Sequence, residues 1–181
     1  KGVSFEGGQR VPCIMYWKGE ISSGIINNQL VSGLDILPTF AEIAAAPLPK
    51  HKIDGLSLLA LIRGEVKESP RKDFAYYYRK NNLEAVTDGD YKLVFPHTHR
   101  SYEGFVPAND GKPGPVNEYH KLEEPLLFDL RRDPGERYNL YQALPDVVAH
   151  LEQIAEQHRA DMGDDLQGVK GANLRPAGQA K

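Results

Sequence analysis

Leu83-Glu84-Ala85-Val86-Thr87-Asp88-Gly89-Asp90-Tyr91-Lys92-Leu93-Val94-Phe95 is the stretch on which the fold turns. Two strand-forming runs flank Asp88-Gly89, and glycine reaches positive φ at little cost, so the stretch predicts a tight hairpin. In the returning run Tyr91, Leu93 and Phe95 share one face. Phe74-Ala75-Tyr76-Tyr77-Tyr78 before it and Leu126-Leu127-Phe128-Asp129-Leu130 after it have the same character, and Asp133-Pro134-Gly135-Glu136 turns the chain again. Together these segments predict an antiparallel meander of about four strands. The three consecutive tyrosines fit a strand packed on alternate faces better than a base-stacking platform.

Residues 145–162 predict the longest helix. Pro145 suits the first helical position, where its missing N–H costs nothing. Val147, Val148, Leu151, Ile154, Ala155, His158 and Met162 recur at three- and four-residue spacing, with Asp146, Glu152, Glu156 and Arg159 facing away. That stripe is expected to pack across the meander. Residues 163–181 are polar and glycine-rich and are expected to be mobile or to lie along the surface. Residues 97–124, rich in Gly, Pro and His, read as one long loop, and loops of that length are functional or disordered.

Toward the N-terminus the pattern differs. Residues 11–17 are a short apolar run, the signature of a strand buried on both faces, yet residues 18–72 offer it no evident neighbours. A strand cut off from its sheet exposes an edge and invites pairing with another chain. Around Leu34–Ala46, placing Asp35 at the N-cap puts Pro38 in the first turn, and Ile36, Phe40 and Ile43 then share a face. Pro47 and Pro49 stop that helix, and residues 53–62 form a turn and a short helix. The charged stretch at 65–72 marks a domain boundary.

Composition narrows the function. A net charge of −3 argues against a nucleic-acid binder. No apolar run approaches the roughly 20 residues of a membrane span. The single cysteine, Cys13, has no internal disulfide partner. With 17 Gly and 13 Pro, much of the chain must be turn and loop.

No complete catalytic constellation is present: there is no HExxH, paired CxxC, GxSxG or phosphate-cradling loop. Two features remain. Lys1 lies on a glycine-flanked segment and can neutralise an anion as a point charge, or stand as a solvated side chain. His97, His99 and Arg100 follow a strand and can hydrogen-bond an oxyanion or deliver a proton near neutral pH, or form a polar loop tip. A metal held by His97 and His99 lacks an evident third ligand.

Lys1-Gly2-Val3-Ser4-Phe5-Glu6-Gly7-Gly8-Gln9-Arg10-Val11-Pro12 strongly resembles the second half of the sulfatases, the formylglycine-dependent arylsulfatase family. The resemblance continues in order through Leu34-Asp35-Ile36-Leu37-Pro38-Thr39, Ile53-Asp54-Gly55, Gly89-Asp90-Tyr91-Lys92-Leu93, Leu127-Phe128-Asp129-Leu130, Asp133-Pro134-Gly135-Glu136, Asn139-Leu140 and the Pro145 helix. Gly171-Ala172-Asn173-Leu174-Arg175-Pro176 resembles bacterial arylsulfatase-like members.

The resemblance implies an α/β, alkaline-phosphatase-like architecture. Residues 1–70 would end the large catalytic domain. Residues 71–181 would form a small α+β C-terminal domain with a four-stranded antiparallel sheet and a long helix. It implies part of a sulfuric ester hydrolase, inactive as this fragment alone, with the rest of the parent chain and a sulfated small molecule or glycan as partners. Calcium and formylglycine are expected in the intact enzyme, with their residues upstream. Cys13, followed by Ile14-Met15-Tyr16, does not match the C/S-x-P-x-R site of the modified residue. Lys1 matches the family lysine that contacts the substrate sulfate, and His97, His99 and Arg100 would shape the substrate mouth. A periplasmic or secreted location is the family expectation. Two alternatives stay open: a phosphate or phosphonate monoester hydrolase of the same superfamily, and a non-catalytic module that binds sulfated glycans.

Overall fold

The computed structural model describes residues 2–101, 108–112 and 118–174. They fall into two units, one of residues 2–10 with 75–174, the other of residues 11–74.

The first unit begins with a single helical turn, α1 (Glu6–Gln9). Gly8 has to be glycine, because a Cβ there would lie 2.3 Å from the Val3 carbonyl oxygen. The strands follow: β1 (Phe74–Tyr78), β2 (Asn82–Thr87), β3 (Tyr91–Val94), β4 (Thr98–Ser101), β5 (Glu118–Lys121) and β6 (Leu126–Asp129). β1, β2, β3 and β6 form the main sheet in that order, which is the expected meander. β2 and β3 run antiparallel with Val86 opposite Leu93 and Thr87 opposite Lys92. β3 and β6 pair from Tyr91–Asp129 to Val94–Leu126.

The turn at Asp88-Gly89 closes as its residues dictate. Gly89 sits at φ 95°. Asp88 Oδ1 accepts from the N–H groups of Asp90 and Tyr91 at 2.9 and 2.7 Å, and Thr87 Oγ1 donates to the Tyr91 carbonyl at 2.7 Å.

α4 (Pro145–Met162) covers one face of this sheet. Leu83, Val86, Leu93, Phe95 and Leu127 pack there against Leu151, Ile154 and Ala155. Each fully buried Leu, Ile, Val or Phe among them stabilises the unit by about 1.5–3 kcal/mol in transfer free energy. Tyr77 points to the same side and its hydroxyl donates to the carbonyls of His158 and Gly163 at 3.1 and 3.0 Å.

Two expectations need correction in this unit, and the tail takes one of its two expected courses. Arg159 does not face away: it is 2 % exposed, stacked 4.6 Å from the Phe95 ring and paired with Asp164 at 3.2 Å and Glu156 at 2.7 Å. A long guanidinium can lie inside when carboxylates and an aromatic face receive it. Residues 163–174 lie along the unit and are hydrogen-bonded to it. α4 ends at Gly163 (φ 84°), and β7 (Gly163–Asp164) pairs with β8 (Val169–Lys170). The Ala172 and Asn173 N–H groups then bond the last-turn carbonyls of Ala160 and Asp161. Residues 175–181 lie outside the described residues. Lastly, the loop at 97–124 contains an antiparallel ribbon, β4 with β5.

In the second unit Ser32 caps a short turn, Gly33–Asp35, that leads into α2 (Ile36–Ile43). The capping side chain is Ser32 rather than Asp35, which is fully buried and does more. Asp35 accepts from the Ser32 and Leu56 N–H groups at 2.8 and 2.9 Å and from two nitrogens of Arg71. Thr39 continues the network, donating to the Asp35 carbonyl and accepting from the Leu58 N–H. α3 (Leu59–Ile62) follows, with Leu58, Leu59 and Leu61 buried.

Residues 11–17 form no ladder, contrary to the expected buried strand, and Ile14 is 95 % exposed. A strand exists by pairing, and among the described residues nothing pairs with this run. Cys13 is exposed as well. Ile36, Phe40 and Ile43 do share a face, but it is uncovered in this unit, Phe40 being 65 % exposed.

Candidate functional site

Alternation along β3 sends Leu93 toward α4 and Lys92 to the opposite face of the sheet. There Lys92 is 0 % exposed, a costly place for an ammonium unless it is paired. Its Nζ lies 3.1 Å from Glu6 Oε1 and 3.0 Å from Glu136 Oε1, and 4.6 Å from the centroid of the Tyr76 ring. Glu136 Oε2 accepts from the Glu6 backbone N–H at 2.6 Å, and Arg10 Nε donates to Glu6 Oε2 at 2.6 Å. Gln9 Nε2 donates to the Tyr78 hydroxyl at 2.5 Å and to the Val3 carbonyl at 3.0 Å.

Two carboxylates and two cations thus close a neutral network that clamps residues 3–10 onto the sheet. Burial raises the Glu136 carboxyl above its ordinary range, with Lys92 and the Glu6 N–H pulling the other way. Burial likewise pushes the Tyr76 phenol up, helped by the negative charges of Glu6 and Glu136.

Beside this clamp stands a histidine cluster. His97 is buried: Nδ1 lies 2.6 Å from the Phe95 carbonyl oxygen and Nε2 3.2 Å from Glu84 Oε2. Burial raises the Glu84 carboxyl, and His97 partly offsets that. The His99 ring meets Phe5 edge-on at 5.1 Å and lies 5.3 Å from His97 and 6.3 Å from His120, its cross-strand partner. Burial pulls the His99 imidazole below 6.5, and His97, His120 and Arg79 add to the effect. A neutral imidazole offers one donor and one acceptor, a suitable lining for a polar ligand.

Arg100 points to the other side of the ribbon. It sits opposite Tyr119, and its Nε and Nη2 both donate to the Tyr119 hydroxyl at 3.2 Å.

The three candidates at 97–100 are therefore separated. His97 and His99 gather around Phe5, Arg100 faces away, and His97 is enclosed. Lys1 lies outside the described residues. In the sequence Glu6, Lys92 and Glu136 stand only as parts of separate motifs, and their convergence is missed there. The one available signal was a lysine in an otherwise apolar strand. Among the described residues no group of three or more His, Cys, Asp or Glu could hold a metal ion. No helix of the described residues is long and apolar enough to cross a membrane.

A meander backed by one long helix, with a glycine-bearing segment clamped on its other face, places the chain in the α/β, alkaline-phosphatase-like class. It is similar to the PsFucS1 sulfatase of Pseudoalteromonas sp., with a TM-score of 0.64 and 25 % identity over 80 % of this chain and 28 % of that one. A family model for the C-terminal region of aryl-sulfatase matches residues 69–180. A second, for the C-terminal part of N-sulphoglucosamine sulphohydrolase, matches residues 1–112. The chain belongs to the sulfatase family, in its C-terminal region. Arylsulfatase A of Bos taurus is 38 % identical over 161 residues, covering 87 % of this chain and 31 % of its own length. N-acetylgalactosamine-6-sulfatase of Mus musculus is 35 % identical over 178 residues, covering 90 % and 33 %. The chain spans about a third of the length of these relatives.

Proposed function

We propose that this chain is the C-terminal part of a sulfuric ester hydrolase, with residues 1–70 closing the catalytic domain and residues 71–181 forming the smaller domain. The single observation that carries the reading is the clamp. Lys92 and Glu136 hold the segment immediately after Lys1 on the sheet, beside the His99–Phe5 cluster. In this reading Lys1 neutralises negative charge on the substrate sulfate as a point charge. His99 and Arg100 contact opposite sides of the substrate mouth, and His97, held at the Phe95 carbonyl and buried beside Glu84, orients the start of β4. Calcium and formylglycine belong, in this reading, to the rest of the parent chain, and Cys13, followed by Ile14-Met15-Tyr16, lacks the pattern of the modified residue. The start of the aryl-sulfatase match at residue 69 supports the boundary.

The test is turnover of an aryl sulfate and the matching aryl phosphate by the full-length protein that carries this chain. Sulfate hydrolysis should dominate, and Lys1→Ala should lower kcat by about 100-fold, the usual scale for one oxyanion-stabilising group. Preferred phosphate hydrolysis would overturn the assignment, as would an unchanged kcat in Lys1→Ala.

A further inference from the structure

The outward side of the β4–β5 ribbon carries a cluster that the clamp and the histidines leave unused. Tyr119 is 56 % exposed, and two guanidinium groups converge on it: Arg79 from the β1–β2 turn, 5.1 Å from the ring centroid, and Arg100 at 5.5 Å. Arg100 grips the phenol oxygen through two nitrogens, as described above. Lys121 pairs with Thr98 across the ribbon, one step along the same face as Arg100 and Tyr119, and Lys80 follows Arg79 at the turn.

Arg79 and Lys80 both stand at positive φ, 43° and 66°, a region that side-chain-bearing residues occupy at a cost. Among the described side chains, Glu123 balances Lys121 at 2.9 Å, while Arg79 has no carboxylate within ion-pair distance. In a chain of net charge −3, this corner gathers positive charge on a solvent-facing aromatic ring.

We propose that Arg79, Arg100 and Tyr119 form a subsite for a second oxyanion on the substrate, a sulfate or carboxylate on a sugar other than the one bearing the ester to be cleaved. The guanidinium fork matches the paired oxygens of either anion. Tyr119 holds the fork in place and offers a flat surface to the sugar ring. The identity of the ligand rests on the sulfate-ester reading, but binding at this subsite can be measured without turnover.

The experiment titrates the full-length protein carrying this chain by calorimetry with three probes. They are a disaccharide bearing two sulfates, the same disaccharide bearing one sulfate and one carboxylate, and the mono-sulfated disaccharide. Wild type should bind both dianionic probes at least 10-fold more tightly than the mono-sulfated one, and a gap between the two dianions would show which anion the fork prefers. Arg79→Ala should collapse the advantage to under 3-fold, whereas Arg132→Ala, which removes the same charge elsewhere on the chain, should preserve it. Thermal melts confirm that both variants are folded, and Tyr119→Phe, which keeps the ring and removes the hydroxyl that Arg100 donates to, should fall between them. No preference in wild type, an undiminished preference in Arg79→Ala, or equal loss in Arg132→Ala would each overturn the subsite. Discrimination without aryl sulfate turnover would keep the subsite and remove the hydrolase reading. Turnover without discrimination would do the reverse.

Discussion

Replacing Lys92 with methionine tests the clamp most directly. Methionine fits the space of the lysine stem but leaves Glu6 and Glu136 without the ammonium, in side chains only 7 % and 5 % exposed. Glu6 keeps Arg10 at 2.6 Å, so the deficit falls on Glu136, which among the described residues retains the Glu6 N–H at 2.6 Å. Removing one partner of a buried pair and leaving the other charged costs about 3–5 kcal/mol. The cost should depend on pH, because Glu136 is already raised by burial and escapes by taking up a proton. The folded state then binds a proton that the unfolded state releases above about 4.5, so the variant loses stability as pH rises through that window. Urea unfolding, followed by helix signal, measures this. A loss of about 3–5 kcal/mol near pH 8, shrinking toward pH 5, is expected. Lys92→Met combined with Glu136→Gln should recover at least 1 kcal/mol, since it removes the stranded charge. A single variant within 1 kcal/mol of wild type at pH 8, or a double variant no better than the single, would refute the account of Lys92 as the ion that makes these carboxylates tolerable.

Three further outcomes follow from the same geometry. In Asp35, burial alone would raise the carboxyl, but Arg71 and the Leu56 and Ser32 N–H groups outweigh it and hold the group below 3.8. Its stabilisation is therefore present above 3.8 and lost as pH falls through the folded value. Asp35→Asn should flatten the acid limb of the unfolding curve for residues 11–74, as read by hydrogen exchange. His99 should titrate below 6.5 by NMR, and Phe5→Ala, which opens its surroundings, should bring it back toward 6.5. Arg159→Met strands the buried Asp164 and should lower stability by about 3–5 kcal/mol in urea unfolding, with Asp164→Asn in the same chain restoring part of it.

The elements of the first unit were readable because local rules and tertiary demands agree there. Asp88-Gly89 closes its hairpin through its own side chain and φ, and Pro145–Met162 repeats its apolar residues at the helical period up to Gly163. The ribbon at 98–101 and 118–121 was not readable, because its two halves are separated by a long glycine- and proline-rich stretch and carry no hydrophobic alternation. Of the candidate residues, His99 and Arg100 were found as types, but the side of the ribbon each faces depends on strand register, which the spacing of polar residues does not specify.

Residues 11–17 and Arg159 show the same division from two directions. An apolar run predicts burial, yet residues 11–17 lack a paired neighbour among the described residues and remain exposed. A charged residue predicts exposure, yet Arg159 is enclosed because Asp164, Glu156 and Phe95 surround it. Strand and helix periods, turn residues and the order of the family motifs are local properties, written in neighbouring residues and legible from them. Which charges meet inside is a different matter. Glu6, Lys92 and Glu136 are brought together across the chain only by packing a clamped loop, a strand and a turn. No residue-by-residue pattern encodes that meeting, because its energy comes from burial and pairing that exist only in the folded unit.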